Sequence, residues 1–253
     1  MLSRAILLIS TVAFSQLVFS ACSPEFIENV SRALGYSSPE NTTNMYVDCK
    51  AHPAIEHASI VAIASEQLHI PNAGDENFNL DISLVDTKSE EVLAHRLYEA
   101  KIQNGGGPKL TSIEIDTARY FVSPNSRAFG IRASFYMGFT SNQELSLFLF
   151  HDKDVVNILS GAEMQIFFTN RGASCAQQTR EAARILVIDK KLTNGFYDLL
   201  VKEQLTDSEE RTDQMGECKL VPINKETEQY RLQYDGTQYV IPNEMRFFDC
   251  RVC

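Results

Sequence analysis

The sequence contains no cluster of lysine and arginine residues, and this absence argues against several classes of partner. The 253 residues include 23 basic and 33 acidic side chains, which give a formal net charge of −10. Because phosphate contacts require a basic face, we expect no binding to nucleic acid. For the same reason we expect no electrostatic docking to a membrane of anionic lipids.

Long apolar runs are also scarce, and the one that stands out lies at the start of the chain. Arg4 precedes an apolar stretch over residues 5–19, and small residues follow it up to Cys22. This stretch is shorter than the roughly 20 residues that a membrane-spanning helix requires. The pattern is typical of a secretory signal peptide over residues 1–21 and predicts an exported protein. Its removal would leave roughly 230 residues, enough for one large β domain or two small ones.

Two cleavage sites are compatible with this signal, and they predict different locations for the mature protein. Residues 18–21 ahead of Cys22 are similar to a bacterial lipobox, in which Cys22 would carry a lipid, although Phe19 stands where such boxes usually have leucine. Ordinary cleavage after Ser20 or Ala21 would instead release a soluble protein. We therefore expect a periplasmic protein or a lipid-anchored outer-membrane protein, with secretion as the alternative.

Disulfides are the default expectation for cysteines in an oxidising compartment. The chain has six cysteines: Cys22, Cys49, Cys175, Cys218, Cys250 and Cys253. We expect a Cys175–Cys218 disulfide, because both residues lie in polar, turn-rich segments that flank a strand-rich stretch. Cys49 would then pair with Cys250 or Cys253 and tie the two ends of the domain together.

A second paired-cysteine motif is absent, which argues against zinc. Residues 250–253 form one C-x-x-C motif, but no other motif of this kind and no histidine pair at ligand spacing accompanies it. The motif ends the chain, so no helix can follow to lower the pKa of a thiol, as redox motifs require. We interpret these cysteines as structural.

Histidine and glutamate cluster at one place, which is the weak candidate for a metal site. It consists of His52, Glu56 and His57. The two histidines are five residues apart and Pro53 follows the first, so they cannot share one face of a helix as zinc ligands do. We interpret the segment as a polar loop ahead of a strand at Ile60. We therefore predict no catalytic residues, no metal and no cofactor.

The hydrophobic pattern predicts a mainly β fold with one short N-terminal helix. Residues 24–34 read as an amphipathic helix capped by Ser23 and ended by Gly35. Apolar and polar residues then alternate over residues 78–84, as in a strand with one buried face. Similar runs lie at residues 59–64, 92–98, 113–115, 131–137, 145–149, 164–168, 184–188, 197–202, 230–234 and 238–241. We interpret the charged residues 209–217 as a surface loop.

The close spacing of these strands favours an antiparallel β-sandwich or an irregular barrel. Residues 78–98 form a candidate hairpin. The glycine-rich residues 104–108 are the clearest interruption of the pattern. They divide a helix plus a small β lobe at residues 22–104 from a larger β lobe at residues 105–253, unless the two lobes form one continuous domain.

Four stretches of the larger lobe carry a resemblance. They are RAFGIR at residues 127–132, LSLF at 145–148, GFYDL at 195–199 and LQYDGTQYV at 232–240. In order and spacing they resemble a group of uncharacterised exported bacterial proteins with a β-rich body. The resemblance covers roughly residues 110–242, and it implies no catalytic residues.

These observations together predict an exported envelope protein with a non-catalytic binding or structural β domain. Its expected partner is another envelope protein or a surface component. Two alternatives stay open: a secreted hydrolase whose site is assembled only in space, and an inhibitor of another enzyme.

Overall fold

The computed structural model describes residues 22–36, 44–67, 77–103, 109–170 and 175–246. Within them the chain is mainly β, with two antiparallel sheets and a short helix near the start of the described chain. These observations confirm the mainly β fold class that the sequence predicts. Neither sheet closes on itself within these residues, so the fold is layered and is not a closed barrel. The predicted signal peptide and the segment 104–108 lie outside the described residues.

Helix α1 spans Pro24–Ala33 and begins as the sequence indicates. The Ser23 Oγ accepts a hydrogen bond from the Phe26 N–H at 3.1 Å, and a proline in the first turn needs no N–H partner. The helix ends ahead of Gly35, whose φ of +87° suits glycine. Its apolar side packs on one face of the smaller sheet, where the helix residues Phe26 and Val30 meet Val61, Ile63 and Val85.

The smaller sheet has four strands in sequential order. They are β1 (Met45–Ala51), β2 (Ala58–Glu66), β3 (Asn77–Asp86) and β4 (Val92–Gln103). Strands β3 and β4 pair as the predicted hairpin. Its turn is held by the Asp86 Oδ1, which accepts hydrogen bonds from the N–H groups of Lys88 and Ser89.

The larger sheet has eight strands, each paired with the next along the chain. They are β5 (Lys109–Ser123), β6 (Ser126–Met137), β7 (Thr140–His151), β8 (Asp154–Asn170), β9 (Gln178–Thr193), β10 (Phe196–Thr212), β11 (Cys218–Tyr234) and β12 (Tyr239–Val240). A short helix, α2 (Asn243–Arg246), follows. The sheet curls, and β5 contacts β10 although four strands lie between them in the sheet order.

Strands β10 and β11 extend well beyond the residues that the apolar pattern marks. The predicted surface loop at residues 209–217 is wrong in its first part, since β10 continues to Thr212 and the turn covers only residues 213–217. The extension of β11 is exposed on both faces, whereas that of β10 is mostly half-buried and its buried side chains, Glu203 and Ser208, are polar. Alternation of apolar and polar residues reports a strand with one buried face, so it gives no signal here.

Two apolar cores hold the sheets. The inter-sheet core fills the space between them and contains the fully buried Ile60, Ile82, Ile115 and Phe148. The second core lies along the larger sheet and its C-terminal segment, with Leu147, Leu159, Val201, Leu232 and Met245. Each such side chain stabilises the fold by about 1.5–3 kcal/mol relative to an exposed one.

Gly130 in β6 is required by a close approach of neighbouring strands. A Cβ atom at this position would lie 2.6 Å from the Leu145 Cδ1 and 3.2 Å from the Asp116 Cβ. Asp116 and Gly130 are directly opposed in the pairing of β5 with β6. A larger residue would therefore displace the buried Leu145 side chain from its position in the core.

Candidate functional site

The predicted histidine cluster lies on the loop between β1 and β2. The His52 Nδ1 accepts hydrogen bonds from the backbone N–H groups of Ala54 and Ile55, at 3.2 and 2.9 Å. Burial and the charge of Arg127 lower the pKa of His52. His52 therefore shapes the loop.

The other two members of the cluster, Glu56 and His57, lie at the exposed end of the same loop. The His57 Nε2 is 3.2 Å from the Glu56 Oε1, and both side chains face solvent. In the part of the chain that the structure describes, no group of three or more histidine, cysteine, aspartate or glutamate residues is placed to hold a metal ion.

Two disulfides connect distant parts of the sequence. The first joins Cys175 to Cys218, the pairing expected from the sequence, with Cα atoms 5.1 Å apart. It links the segment before β9 to the start of β11. The second joins Cys22 to Cys49, with Cα atoms 6.0 Å apart.

The Cys22–Cys49 disulfide differs from the pairing that the sequence predicted for Cys49. Cys49 is not paired with Cys250 or Cys253, which lie outside the described residues. Packing of α1 on the smaller sheet brings Cys22 beside β1 and supplies a nearer partner. A sulfur atom in a disulfide has no valence left for a thioether, so this pairing is incompatible with a lipid on Cys22.

A groove runs over an irregularity in β8. Two adjoining cavities of about 490 and 530 Å³ share Glu144, Ser160 and Gly161 in their linings. The first is bounded by the C-terminal segment at residues 238–241, and the second by β4. Gly161 has a φ of +61°, and a Cβ atom there would lie 3.2 Å from the Glu144 Oε2.

Two glutamates oppose each other across the strands that form this groove. Glu144 of β7 and Glu163 of β8 are directly paired in register. Burial and the neighbouring charge of Glu163 raise the pKa of Glu144 to about 7. Burial also raises the pKa of Glu163, whose Oε2 is buried without a hydrogen-bond partner among the described residues. Burial and the charge of Glu163 thus disfavour the charged form of Glu144, whereas Arg184, whose Nη1 lies 3.8 Å from the Glu163 Oε2, favours the charged form of Glu163.

Basic groups border the glutamate pair on two sides. The Lys101 Nζ donates hydrogen bonds of 2.7 Å to the Asn157 Oδ1 and to the Ser160 Oγ. The Arg184 Nη1 donates to the Glu163 carbonyl oxygen at 2.9 Å, and its Nε pairs with the Glu203 carboxylate. No local pattern in the sequence marks this cluster, because its members lie on five strands and none has a motif around it.

A buried aspartate fixes the chain after α1. The Asp81 side chain is 4% exposed, and its Oδ2 accepts a hydrogen bond from the Tyr36 hydroxyl at 3.1 Å. The His95 Nε2 lies 2.7 Å from the Asp81 Oδ1. Burial raises the pKa of Asp81 and that of Tyr36, the latter to about 12. Ser83, which opposes His95 in register, is fully buried, so it is not accessible as a nucleophile.

The edge of the larger sheet at β5 is covered by β1. The Asp48 Oδ2 accepts a hydrogen bond from the Ile115 N–H at 2.6 Å. The Tyr46 hydroxyl donates to the Leu110 carbonyl oxygen, also at 2.6 Å. Side chains of the smaller sheet thus satisfy backbone groups that a free edge would leave open.

The edge of the smaller sheet at β4 is covered in the same way by β8 and the turn before it. The His95 N–H donates to the Lys153 carbonyl oxygen at 3.2 Å. The Tyr98 hydroxyl donates to the Val155 carbonyl oxygen at 2.6 Å.

Strand β11 differs from these edges. It pairs along its length with β10, but on its other side β12 covers only Gln233 and Tyr234. Among the described residues, the stretch 218–231 of β11 therefore has no neighbouring strand on its outer side. Most of this stretch is exposed. We call it the free edge.

The free edge is divided by a proline. Pro222 opposes Ser208, Asn224 opposes Asp207, and the register shifts between them. Because proline has no N–H and the shift interrupts the ladder, a partner strand could extend over residues 224–231 only.

The chain is without a match in all three comparisons with known proteins: no protein-family model, no curated protein sequence and no solved structure matches it. Within the described residues, no helix is long and apolar enough to cross a membrane.

Proposed function

We propose that the protein is an exported binding domain that takes up an extended segment of a partner protein along β11. The observation that supports this proposal is the contrast between sheet edges. β1 covers the edge at β5, and β8 with its preceding turn covers the edge at β4, whereas residues 224–231 of β11 have one strand neighbour. Addition of a strand to an open edge is a common mode of peptide recognition, because backbone hydrogen bonds continue the sheet.

The disulfides support the exported part of the proposal. Two disulfides within one chain are typical of an oxidising compartment such as the periplasm or the cell exterior. The Cys175–Cys218 disulfide also joins the segment before β9 to the start of β11. It therefore holds one end of the docking strand in place, so less conformational entropy is lost when a partner binds.

The hydrolase alternative has weaker support in the geometry. His52 accepts backbone hydrogen bonds, and Glu56 and His57 are solvent-exposed, so the three do not form a catalytic group. The partly buried pair of Glu144 and Glu163 lies in a separate groove, and the residues lining that groove include no histidine.

Site-specific photo-crosslinking in cells that export the protein tests the proposal. A benzoylphenylalanine in place of Thr227, on the free edge, should crosslink to one extended segment of a partner. The same group in place of Lys202, an exposed position on the interior strand β10, is the matched control and should not.

Hydrogen exchange on the purified complex supplies the second measurement. The amides of residues 224–231 that point away from β10 should exchange rapidly in the free protein and become protected in the complex. A complex in which these amides exchange as they do in the free chain would overturn the proposal.

A further inference from the structure

We infer that the segment bound by β11 carries basic residues at alternate positions, where they face Glu226 and Glu228. This inference rests on the proposed docking along β11 and names the chemistry of the partner. The observation that supports it is a row of charged side chains that ends at the free edge.

A row of charged side chains crosses the larger sheet and ends at this edge. Arg184 of β9, Glu203 of β10 and Glu228 of β11 oppose one another in register. Arg184 and Glu203 are buried and pair with each other. Glu228 comes next and has the same sign as Glu203, although like charges on directly opposed residues destabilise a sheet.

The only hydrogen bond that the structure gives the Glu228 side chain among the described residues comes from the Tyr230 hydroxyl. That hydroxyl also lies 3.3 Å from the Glu203 Oε1, and its single proton cannot serve both carboxylates at once. No basic side chain of the described residues forms an ion pair with Glu228 or with Glu203 beyond Arg184. The row therefore ends with a carboxylate whose charge is not balanced.

A second carboxylate extends this acidic surface along the strand. Glu226 precedes Glu228 by two residues, so both side chains lie on one face of β11. Glu226 is exposed and accepts a hydrogen bond of 2.9 Å from the Asn224 Nδ2. Alternate residues of an added strand would lie directly opposite these two glutamates, within about 5.5 Å between Cβ atoms.

A second copy of this chain fits the middle of the same edge poorly. Two copies of β11 related by a twofold axis pair antiparallel, with one residue opposite itself at the centre. Centring on Lys225 opposes two lysines, and centring on Glu226 or Glu228 opposes two glutamates. Centring on Thr227 places Glu226 opposite Glu228. Like charges thus face each other in every register centred on residues 225–228, whereas Pro222 and β12 limit the length of pairings centred closer to either end.

The overall charge favours the same kind of partner. The chain has a formal charge of −10, to which residues 104–253, the part that contains β11, contribute −3 from 20 acidic and 17 basic side chains. A field of this sign accelerates the encounter with a basic segment and slows that with an acidic one.

Binding of two synthetic ten-residue peptides to the disulfide-bonded protein tests the inference. One peptide alternates lysine with threonine and the other alternates glutamate with threonine, and fluorescence polarisation reports binding of each. We expect the lysine peptide to bind at least about tenfold more tightly, as two or more cross-strand ion pairs would produce.

Charge-matched variants separate the edge from the general charge of the protein. The double variant Glu226→Gln/Glu228→Gln should lose most of the preference for lysine. The control Glu181→Gln/Glu217→Gln removes the same charge from exposed positions away from the outer side of residues 224–231 and should retain it.

Three results would overturn the inference. Equal binding of both peptides would leave docking along β11 intact and remove the basic preference. An equal loss in the control variant would assign the preference to overall charge. Failure of both peptides to bind would reject alternating basic segments as ligands, while crosslinking at Thr227 would still decide separately whether the edge docks a partner.

Discussion

The carboxylate of Asp48 in β1 accepts a hydrogen bond from the backbone N–H of Ile115 in β5, with 2.6 Å between Oδ2 and N. Its other oxygen accepts the N–H of Cys49 at 2.9 Å. One side chain of the smaller sheet thereby closes an edge of the larger sheet. An edge closed in this way cannot add another strand. Residues 224–231 of β11 have no such contact, so that edge remains open.

Replacement of Asp48 tests how much this contact stabilises the fold. The Asp48→Ala variant leaves the Ile115 N–H without its partner, and we expect a loss of about 1–3 kcal/mol in the free energy of unfolding. Urea denaturation measures this loss. Lys50→Ala on the same strand is the control, since it removes only an exposed ion pair with Glu114, worth about 1 kcal/mol or less. Equal losses of stability in the two variants would show that the hydrogen bond from Ile115 to Asp48 contributes no more than an exposed ion pair.

Glu144 should make stability fall as the pH rises towards neutral. Its pKa is about 7 in the folded protein and near its ordinary value of 4.5 in the unfolded chain. Between these values the folded state binds more protons, so the free energy of unfolding decreases with increasing pH. This contribution is on the order of 2–3 kcal/mol when complete, above about pH 7.

The Glu144→Gln variant should remove this contribution. We expect it to match the unsubstituted protein near pH 4.5 and to exceed its stability at pH 8, in urea denaturation at both values. Glu114→Gln, at an exposed position, should show no comparable difference. A Glu144→Gln variant that is less stable at pH 8 would refute the buried, partly protonated glutamate.

The ion pair between Arg184 and Glu203 should respond differently to single and double replacement. The two side chains are 3% and 7% exposed. Arg184→Met leaves the Glu203 carboxylate buried without a cationic partner, and we expect a loss of about 3–5 kcal/mol. Arg184→Met/Glu203→Leu removes both charges and should recover most of that loss. If the double variant were as unstable as the sum of the single variants, the two residues would not be coupled.

The Cys22–Cys49 disulfide predicts the chemical state of the N-terminal cysteine. Mass spectrometry of the exported protein under non-reducing conditions should find a peptide that links Cys22 to Cys49. A diacylglyceryl group on Cys22, together with a free thiol on Cys49, would contradict this expectation. It would instead support the alternative of a lipid-anchored protein. Reduction before digestion is the control, because it should separate the two peptides.

Local patterns in the sequence predicted those parts of the fold that depend on local interactions. Ser23, Pro24 and Gly35 mark helix α1, because capping and backbone conformation act within a few residues. Alternation over residues 78–84 predicted β3, since one face of that strand is buried in the inter-sheet core. No apolar alternation marks the outer halves of β10 and β11, because β11 is exposed there on both faces and the buried residues of β10, Glu203 and Ser208, are polar.

The sequence by itself determined the fold class, the helix and most strand positions, because hydrophobic periodicity and capping are short-range properties of the chain. The tertiary structure decided everything that depends on residues distant in sequence. It placed Glu144 opposite Glu163, brought Cys22 to Cys49, and covered the edge at β5 while leaving residues 224–231 of β11 open. These relationships arise from strand register and from the packing of one sheet on another, and neither is encoded in a local pattern.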